Sequence, residues 1–492
     1  MTTLPKPKVQ PSPTWSKALE QPAAEFPRTA LPLLEGDVPK GLRGTLYRNG
    51  PGRLHRSGET VGHWFDGDGA VLAVSFGGGD ATATYRYVRT SQFVTEELAD
   101  KYMYSGYGMT APGPLWKRWT TPLKNAANTS VLALGDRLLT LWEGGNPHAM
   151  DLETLRTLGR DDLDGALAGN AAYSAHPKVD PTTGDIYNFG VAPGLNSTLR
   201  LYRSDRTGRV QQRAEIALDG TPLVHDFALA GPYLVFCAPP TRIDLLPVGL
   251  GLKPFSDSIQ WKPELGTQIY VVDKASLTVV SQSIADPWFQ WHISNAYLDP
   301  QEPRQIVLDV IRYPDFQTNA FLREVATGEI HTRTQGTYWR VHIDPVTGRV
   351  TSQNEIVGQG CEFPVVKPQQ VGQDADEVYL SIHRPDADVH HDLFGAIAQL
   401  NPNTGTLTLA DLGEHRYPSE PIYAEDAENP NQGWILTVVF EGARSQSEVW
   451  IFDADRLDRG PVGRLQLPSG IPHSFHGTWR ADMLGTDQVS SL

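Results

Sequence analysis

Residues 343–350 read IDPVTGRV, and the form recurs along the chain. An apolar residue is followed by Asp or Asn, often Pro, then Thr-Gly and another apolar residue. VDPTTGDIY at Val179 and LNPNTGTL at Leu400 repeat it closely. Looser copies are MDLETLRTL at Met150, YRSDRTGRV at Tyr202, VVDKASLTVV at Val271 and IFDADRLDRG at Ile451. Proline presets one turn dihedral and glycine supplies the positive φ that closes a hairpin. Hairpins scattered in this way predict an all-β chain of repeated sheets around an axis, as in a β-propeller. The pattern alone leaves the number of blades open.

The intervening segments agree. SVLALGDRLLTL (130–141), YLVFC (233–237), QIYVVD (268–273) and WILTVVF (434–440) are short apolar runs broken by turn residues, which predicts strands in antiparallel hairpins. Helical periodicity is confined to SQFVTEELADKYM (91–103), where Phe93, Leu98 and Tyr102 fall near one face. The Pro-rich residues 1–30 read as a loosely ordered arm ahead of a single domain over 31–492.

Bulk composition narrows the classes. The 492 residues are 40% hydrophobic and 20% charged, enough for a large core. A formal net charge of −15 disfavours nucleic acid, which needs a basic footprint. Two cysteines, Cys237 and Cys361, exclude a disulfide framework and suit a reducing cytoplasmic setting. The opening MTTLPKPKVQPSP lacks an apolar signal core, and no stretch approaches the length of a membrane span.

Fourteen histidines are present. His55, His331, His342, His383, His390, His391 and His415 sit in polar or turn-like contexts and read as surface or structural imidazoles, while His63 in GHWFDGDGA and His148 in GGNPHAM are less easily set aside. Four others have specific settings: His176 in YSAHP, His225 in VHDFA, His292 in WHISNA and His476 in FHGTW. Gaps of 49, 67 and 184 residues are too long for a zinc finger or a HExxH helix. They suit a metal site to which separate repeated units each contribute one inward ligand. An all-imidazole set favours a redox metal such as iron over magnesium or calcium. His473 competes with His476 on spacing alone. Glu143 in LWEGG, Glu362 in CEFPVV and Glu420 in SEPIY are isolated acids in apolar settings, suited to receive the second N–H of metal-bound imidazoles.

At this point the chain resembles the carotenoid cleavage oxygenases, most closely the bacterial, retinal-forming apocarotenoid-15,15′-oxygenases. The resemblance runs through GTLYRNGPG (44–52), HWFDGDGAV, NAANTS, LWEGGNPH, SAHPKVDP, VHDFA, CEFPVVKPQQVG, EPIY and FHGTW, covering 35–480. It implies a seven-bladed propeller under a dome of loops and short helices, with one Fe(II) per chain on the axis. It implies iron ligation by His176, His225, His292 and His476, not His473, with Glu143, Glu362 and Glu420 behind three of them. Thr129 matches the residue expected to crowd a vacant coordination position. Four ligands on a six-coordinate ion leave two positions for O₂ and water or substrate. The implied substrate is a hydrophobic polyene, cut at 15,15′ to give two aldehydes including retinal.

The resemblance also bears on IDLLPVGLGLKPF (243–255), where the family carries an apolar patch that dips into membrane around the tunnel mouth. Leu245, Leu246, Leu250 and Leu252 would enter lipid, with Arg242 and Lys253 near headgroups, giving a peripheral membrane association. The alternative is a connection buried in the dome. Departures from the family pattern bear on regiospecificity. Trp291 replaces the phenylalanine before the third histidine and Leu298 replaces an acid, which leaves a 9,10 cut open. Trp142 stands where stilbene-cleaving relatives are expected to hold a lysine, which places stilbene cleavage behind. From another class, a non-catalytic ligand-binding propeller predicts no iron and no carboxylates paired with these histidines.

Overall fold

The computed structural model describes residues 13–482 apart from 195, 196, 303, 386 and 390. Seven antiparallel sheets form seven blades. Blades 1, 2, 4 and 5 are built from consecutive strands, blade 3 is interrupted by the small hairpin of Thr241–Ile243 and Ile259–Trp261, and the innermost strands of these five are Ser130–Ala133, Lys178–Val179, Phe227–Ala230, Ile293–Leu298 and Cys361–Val365. Blade 6 has Arg416–Pro418 and Ile422–Glu425 end to end along Gly433–Glu441, and borrows Leu33–Gly36 as its outer strand. Blade 7 closes the ring from both ends of the chain. Gly477–Ala481 is innermost, Arg43–Arg53, Asp68–Gly77 and Ala81–Tyr87 follow, and Phe26–Ala30 is outermost. Strands from both ends of the chain close the ring and supply the outermost strands of blades 6 and 7.

Antiparallel alternation sorts the connections by face. Turns between a blade's first and second, or third and fourth, strands fall on one face. Connections between second and third strands, and from one blade to the next, fall on the other. All seven copies of the turn pattern lie on the first face, six joining third to fourth strands and VDPTTGDIY joining first to second. In each the Asp or Asn side chain caps the turn: Asp344 Oδ1 accepts from the Val346 N–H at 2.8 Å, and Asn401 Oδ1 from Asn403 at 3.0 Å. Gly348 and Gly405 take φ of 72° and 71°, the left-handed region that permits the return.

The second face carries the long insertions that make the dome. The link from blade 7 to blade 1 holds α1 (Ser91–Ala99) and α2 (Leu115–Thr120); blade 3 inserts α3 (Leu245–Gly249) and blade 4 inserts α4 (Thr318–Val325). Helix α1 is shorter than its periodic window. Asp100 adopts φ 47° at its C-terminus, and Tyr102 lies beyond it. Leu98, expected on the apolar face, is 85% exposed. Glu96 takes the buried place beside Phe93 because it meets Lys124 Nζ at 2.7 Å and the Met103 N–H at 2.7 Å.

The arm expected over 1–30 needs correcting as well. Residues 1–12 lie outside the described residues, but from Thr14 onward the chain is built into the fold. Trp15 is fully buried, and Phe26–Ala30 pairs with blade 7. Cys237 and Cys361 are buried free thiols. Among the described residues no helix is long and apolar enough to cross a membrane.

Candidate metal centre

Each blade presents one residue from its innermost strand, at or just ahead of the strand's dome-side start in six blades and from the break between Arg416–Pro418 and Ile422–Glu425 in blade 6. In blade order these are Thr129, His176, His225, His292, Glu362, Glu420 and His476. The four predicted histidines therefore come from blades 2, 3, 4 and 7, and two of the predicted glutamates from blades 5 and 6. Glu143 follows the second strand of blade 1, on the same face.

The imidazoles converge. The ligating nitrogens of His176, His225, His292 and His476 lie within 4.8 Å of one another. His176 Nε2 stands 2.9 Å from His225 Nε2, and His292 Nε2 stands 3.1 Å from His476 Nε2. On the outer side, His476 Nδ1 donates to Glu420 Oε1 at 2.8 Å, His292 Nδ1 to Glu362, and His225 Nδ1 meets Glu143. The Tyr313 hydroxyl donates to the second Glu362 oxygen at 3.1 Å. These carboxylates fix the tautomer, with the proton on Nδ1 and the lone pair on Nε2.

That tautomer is itself a test of what the site holds. His292 and His476 both place Nδ1–H on a carboxylate, so their Nε2 lone pairs face each other at 3.1 Å. Two lone pairs at that separation repel unless a proton or a metal ion lies between them, and four such nitrogens within 4.8 Å of one another suit a metal. Charge agrees, because Glu362 and Glu420 are buried carboxylates and burial without compensation is costly. Arg48, 1% exposed, answers Glu420 at 3.7 Å. A dication on the axis would answer the others, and the four-imidazole donor set suits a first-row transition metal. Burial and the three neighbouring imidazoles drive His176 well below its usual range, which keeps it neutral. Burial would raise the Glu420 carboxyl, but His476, Arg48 and the Gly477 N–H outweigh it and hold it below its usual value.

Above the imidazoles lies a cavity with aromatic and aliphatic walls, including Phe65, Trp291, Phe363, Phe394 and Phe475, with Thr129, His225, His292 and His476 at its floor. Trp291 is buried, packs edge-on against His225 at 4.9 Å between ring centres, and anchors its Nε1 on Thr318 Oγ1 at 2.9 Å. The Thr129 hydroxyl is engaged by Asn128 Oδ1 at 3.1 Å.

The remaining described histidines stand outside the four-imidazole cluster, although His383, which is buried, and His473 line the cavity. His63 is fully buried with both nitrogens occupied, Nδ1 by the Phe65 N–H and Nε2 by the Asn319 carbonyl. His148 is buried within blade 1. His473 lines the cavity but donates Nε2 to the Trp15 carbonyl at 2.9 Å. His390 lies outside the described residues. Trp142 is not among the cavity walls.

Sequence reading missed the residues that tie the floor together. Asp226, next to His225, accepts the Ile293 N–H at 2.8 Å and pairs with Lys178 at 2.9 Å, so one carboxylate binds three ligand-bearing strand ends. Arg48 donates to Ser474 and to the carbonyls of Glu420 and Phe475. Asn49 bridges blade 7 to the Ala127 and Ser130 carbonyls. The RNGPG and VHDFA motifs held these residues in plain view, but nothing local reveals partners up to 427 positions away.

Comparison with known proteins agrees with this geometry. The model of the retinal pigment epithelial membrane protein family matches residues 19–481. The chain belongs to this family, the carotenoid cleavage oxygenases. It is 34% identical over 469 residues to the apocarotenoid-15,15′-oxygenase of Synechocystis sp., covering 91% of this chain and 92% of that protein. Resveratrol cleavage oxygenase 1 of Aspergillus fumigatus is 26% identical, with 90% and 91% covered. The crystal structure of cobalt-substituted Synechocystis ACO superposes with a TM-score of 0.87 at 31% identity, covering 95% of this chain and 98% of that one. Family membership makes the protein an oxygenase, an oxidoreductase, and sets aside the non-catalytic propeller.

Proposed function

We propose that the protein is a non-haem Fe(II) dioxygenase that cleaves one conjugated C=C bond of an apocarotenoid, at 15,15′, giving two aldehydes including retinal. The observation that carries the proposal is the four-imidazole floor, with carboxylates behind three imidazoles, beneath an apolar cavity. When bound by His176, His225, His292 and His476, iron would supply activation of O₂. The chain's own residues do the rest. Glu143, Glu362 and Glu420 orient the imidazoles, the aromatic walls exclude water and hold a rigid polyene, and Trp291 beside His225 limits how it lies. With few polar handles on such a substrate, cavity length and shape choose the bond.

The test is metal analysis of anaerobically purified protein, followed by incubation with apocarotenals under O₂ and product masses. One iron per chain, lost in His225→Ala, with aldehydes from a 15,15′ cut is the expected result. Iron-loaded protein that cleaves no polyene overturns the proposal, and aldehydes from a 9,10 cut overturn the bond assignment.

We further propose peripheral membrane docking through the dome. Leu246, Leu250 and Leu252 are 70%, 42% and 55% exposed, while Leu245 is partly turned inward. Helix α2, unforeseen from sequence, adds Trp116 at 63% and Trp119 at 57%. Trp119 Nε1 and Arg118 Nη1 donate to the Leu250 and Gly251 carbonyls, each at 2.8 Å, which joins the two segments in one surface.

A further inference from the structure

The 3-10 turn Thr14–Ala18 packs against the outside of the cavity wall. Trp15 is completely buried. Its Nε1 donates to the His391 carbonyl at 3.0 Å, and its own carbonyl accepts from His473 Nε2 at 2.9 Å. Thr14 Oγ1 lies 2.9 Å from the Tyr417 hydroxyl. His473 and Tyr417 line the cavity. Trp15 also belongs to the apolar cluster that contains the wall residues Trp64, Phe321, Leu322 and Leu393. The turn therefore stands one side chain behind the wall and grips it at two polar points. It lies ahead of the family match, which begins at residue 19.

We propose that this turn is the end-stop of the cavity, with Trp15 the positioning residue that sets how long a polyene arm is accepted on that side of the histidine floor. The inference rests on the polyene-cleaving reading above. A rigid chain meeting a fixed floor is registered by where its end halts. Removing the indole opens a void behind Tyr417 and Leu393 into which these wall side chains can fall back, leaving the His391 carbonyl without its donor. A deeper cavity admits a longer arm and shifts the bond over the floor.

Two routes move the stop. Trp15→Ala and the milder Trp15→Leu empty it directly. Gly442→Ala displaces it with the indole intact, because a Cβ there would sit 2.7 Å from Thr14 Cβ and 2.6 Å from the Thr14 carbonyl oxygen. Binding of retinol and of apocarotenols one and two isoprene units longer is measured on the full-length, metal-loaded protein by quenching of tryptophan fluorescence. Cleavage products of the two longer aldehydes, which unlike retinal carry a 15,15′ bond, are weighed in parallel. Trp15→Ala is expected to improve the longer alcohols relative to retinol by about tenfold, the gain from burying roughly two further CH₂ groups. Trp15→Leu and Gly442→Ala should move the ratio the same way by less. If Trp15→Ala does not fold, the other two variants decide. A ratio unchanged in every folded variant overturns the end-stop even if the wild type cleaves polyenes. A ratio that moves while the wild type cleaves none leaves the end-stop standing and overturns the cleavage reading.

Discussion

Glu420 joins two kinds of work in one side chain. One oxygen accepts from His476 Nδ1 at 2.8 Å, and the other accepts from the Gly477 N–H at 2.8 Å with Arg48 nearby. Glu420→Gln keeps an acceptor but removes the charge that raises the basicity of His476. Metal affinity should fall roughly 10–100-fold, measured by competition with a chelator; an unchanged affinity would sink this role. Arg48→Met leaves Glu420 buried without its partner and should cost about 3–5 kcal/mol of stability. Asp66 behaves differently. Burial raises its carboxyl from about 3.8 to about 7, against the Gly108 N–H and Lys124, which lower it. Between those values the native state holds a proton that the unfolded chain has released, so stability falls as pH rises from about 4 to about 7. Asp66→Asn should flatten that fall in a series of melting temperatures against pH, and an equally steep fall in the variant would remove Asp66 as its source.

Hairpins were legible because their chemistry is local. An Asp or Asn cap, a proline and a glycine at φ near 70° specify the return without reference to the rest of the chain. Gly405 isolates the conformational part of that statement, since a Cβ there would meet its nearest atoms only at 4.0 Å. Gly405→Ala should therefore cost about 1–2 kcal/mol from the left-handed backbone alone, read from denaturant midpoints, with metal content unchanged. Loss of metal in this variant would show that the two faces are coupled. Apart from Ser130–Ala133, the innermost strands were illegible for the opposite reason. Lys178–Val179 is two residues long, too short for any period, and Thr129, His176, His225, His292 and His476 lie in loop-like stretches just ahead of their strands. The four histidines stood out by their local settings, the resemblance preferred His476 to His473, and that separation became physical only when His473 was found on the Trp15 carbonyl. Helix α2, six residues with no buried member, carries no core signal at all.

At the scale of the molecule, two surfaces of one dome are connected. Rings run from the apolar loop to the floor: Phe255 to Tyr107 at 5.6 Å, Tyr107 to Phe65 at 5.3 Å, Phe65 to Trp291 at 5.5 Å, and Trp291 to His225 at 4.9 Å. An apolar substrate held in a bilayer would meet the exposed leucines and tryptophans at one end of this series and the histidines at the other. The net charge of −15 argues against electrostatic docking, and Arg118 beside the patch already spends its guanidinium on the Ala111 and Gly251 carbonyls. Docking should therefore depend on insertion, with tryptophan at the headgroup level. Fully burying one such side chain contributes about 1.5–3 kcal/mol, so replacing Trp116, Leu246 and Leu252 with serine should lower binding to phosphatidylcholine vesicles by more than about tenfold even if each inserts only half its area. Binding of the wild type should persist at about 1 M salt, where charges are screened beyond roughly 3 Å. Co-sedimentation with vesicles at low and high salt checks both statements. Binding lost to salt but untouched by the three serines would place the contact elsewhere, and the ring series from Phe255 inward would then serve to pack the dome and not to lead substrate to the floor.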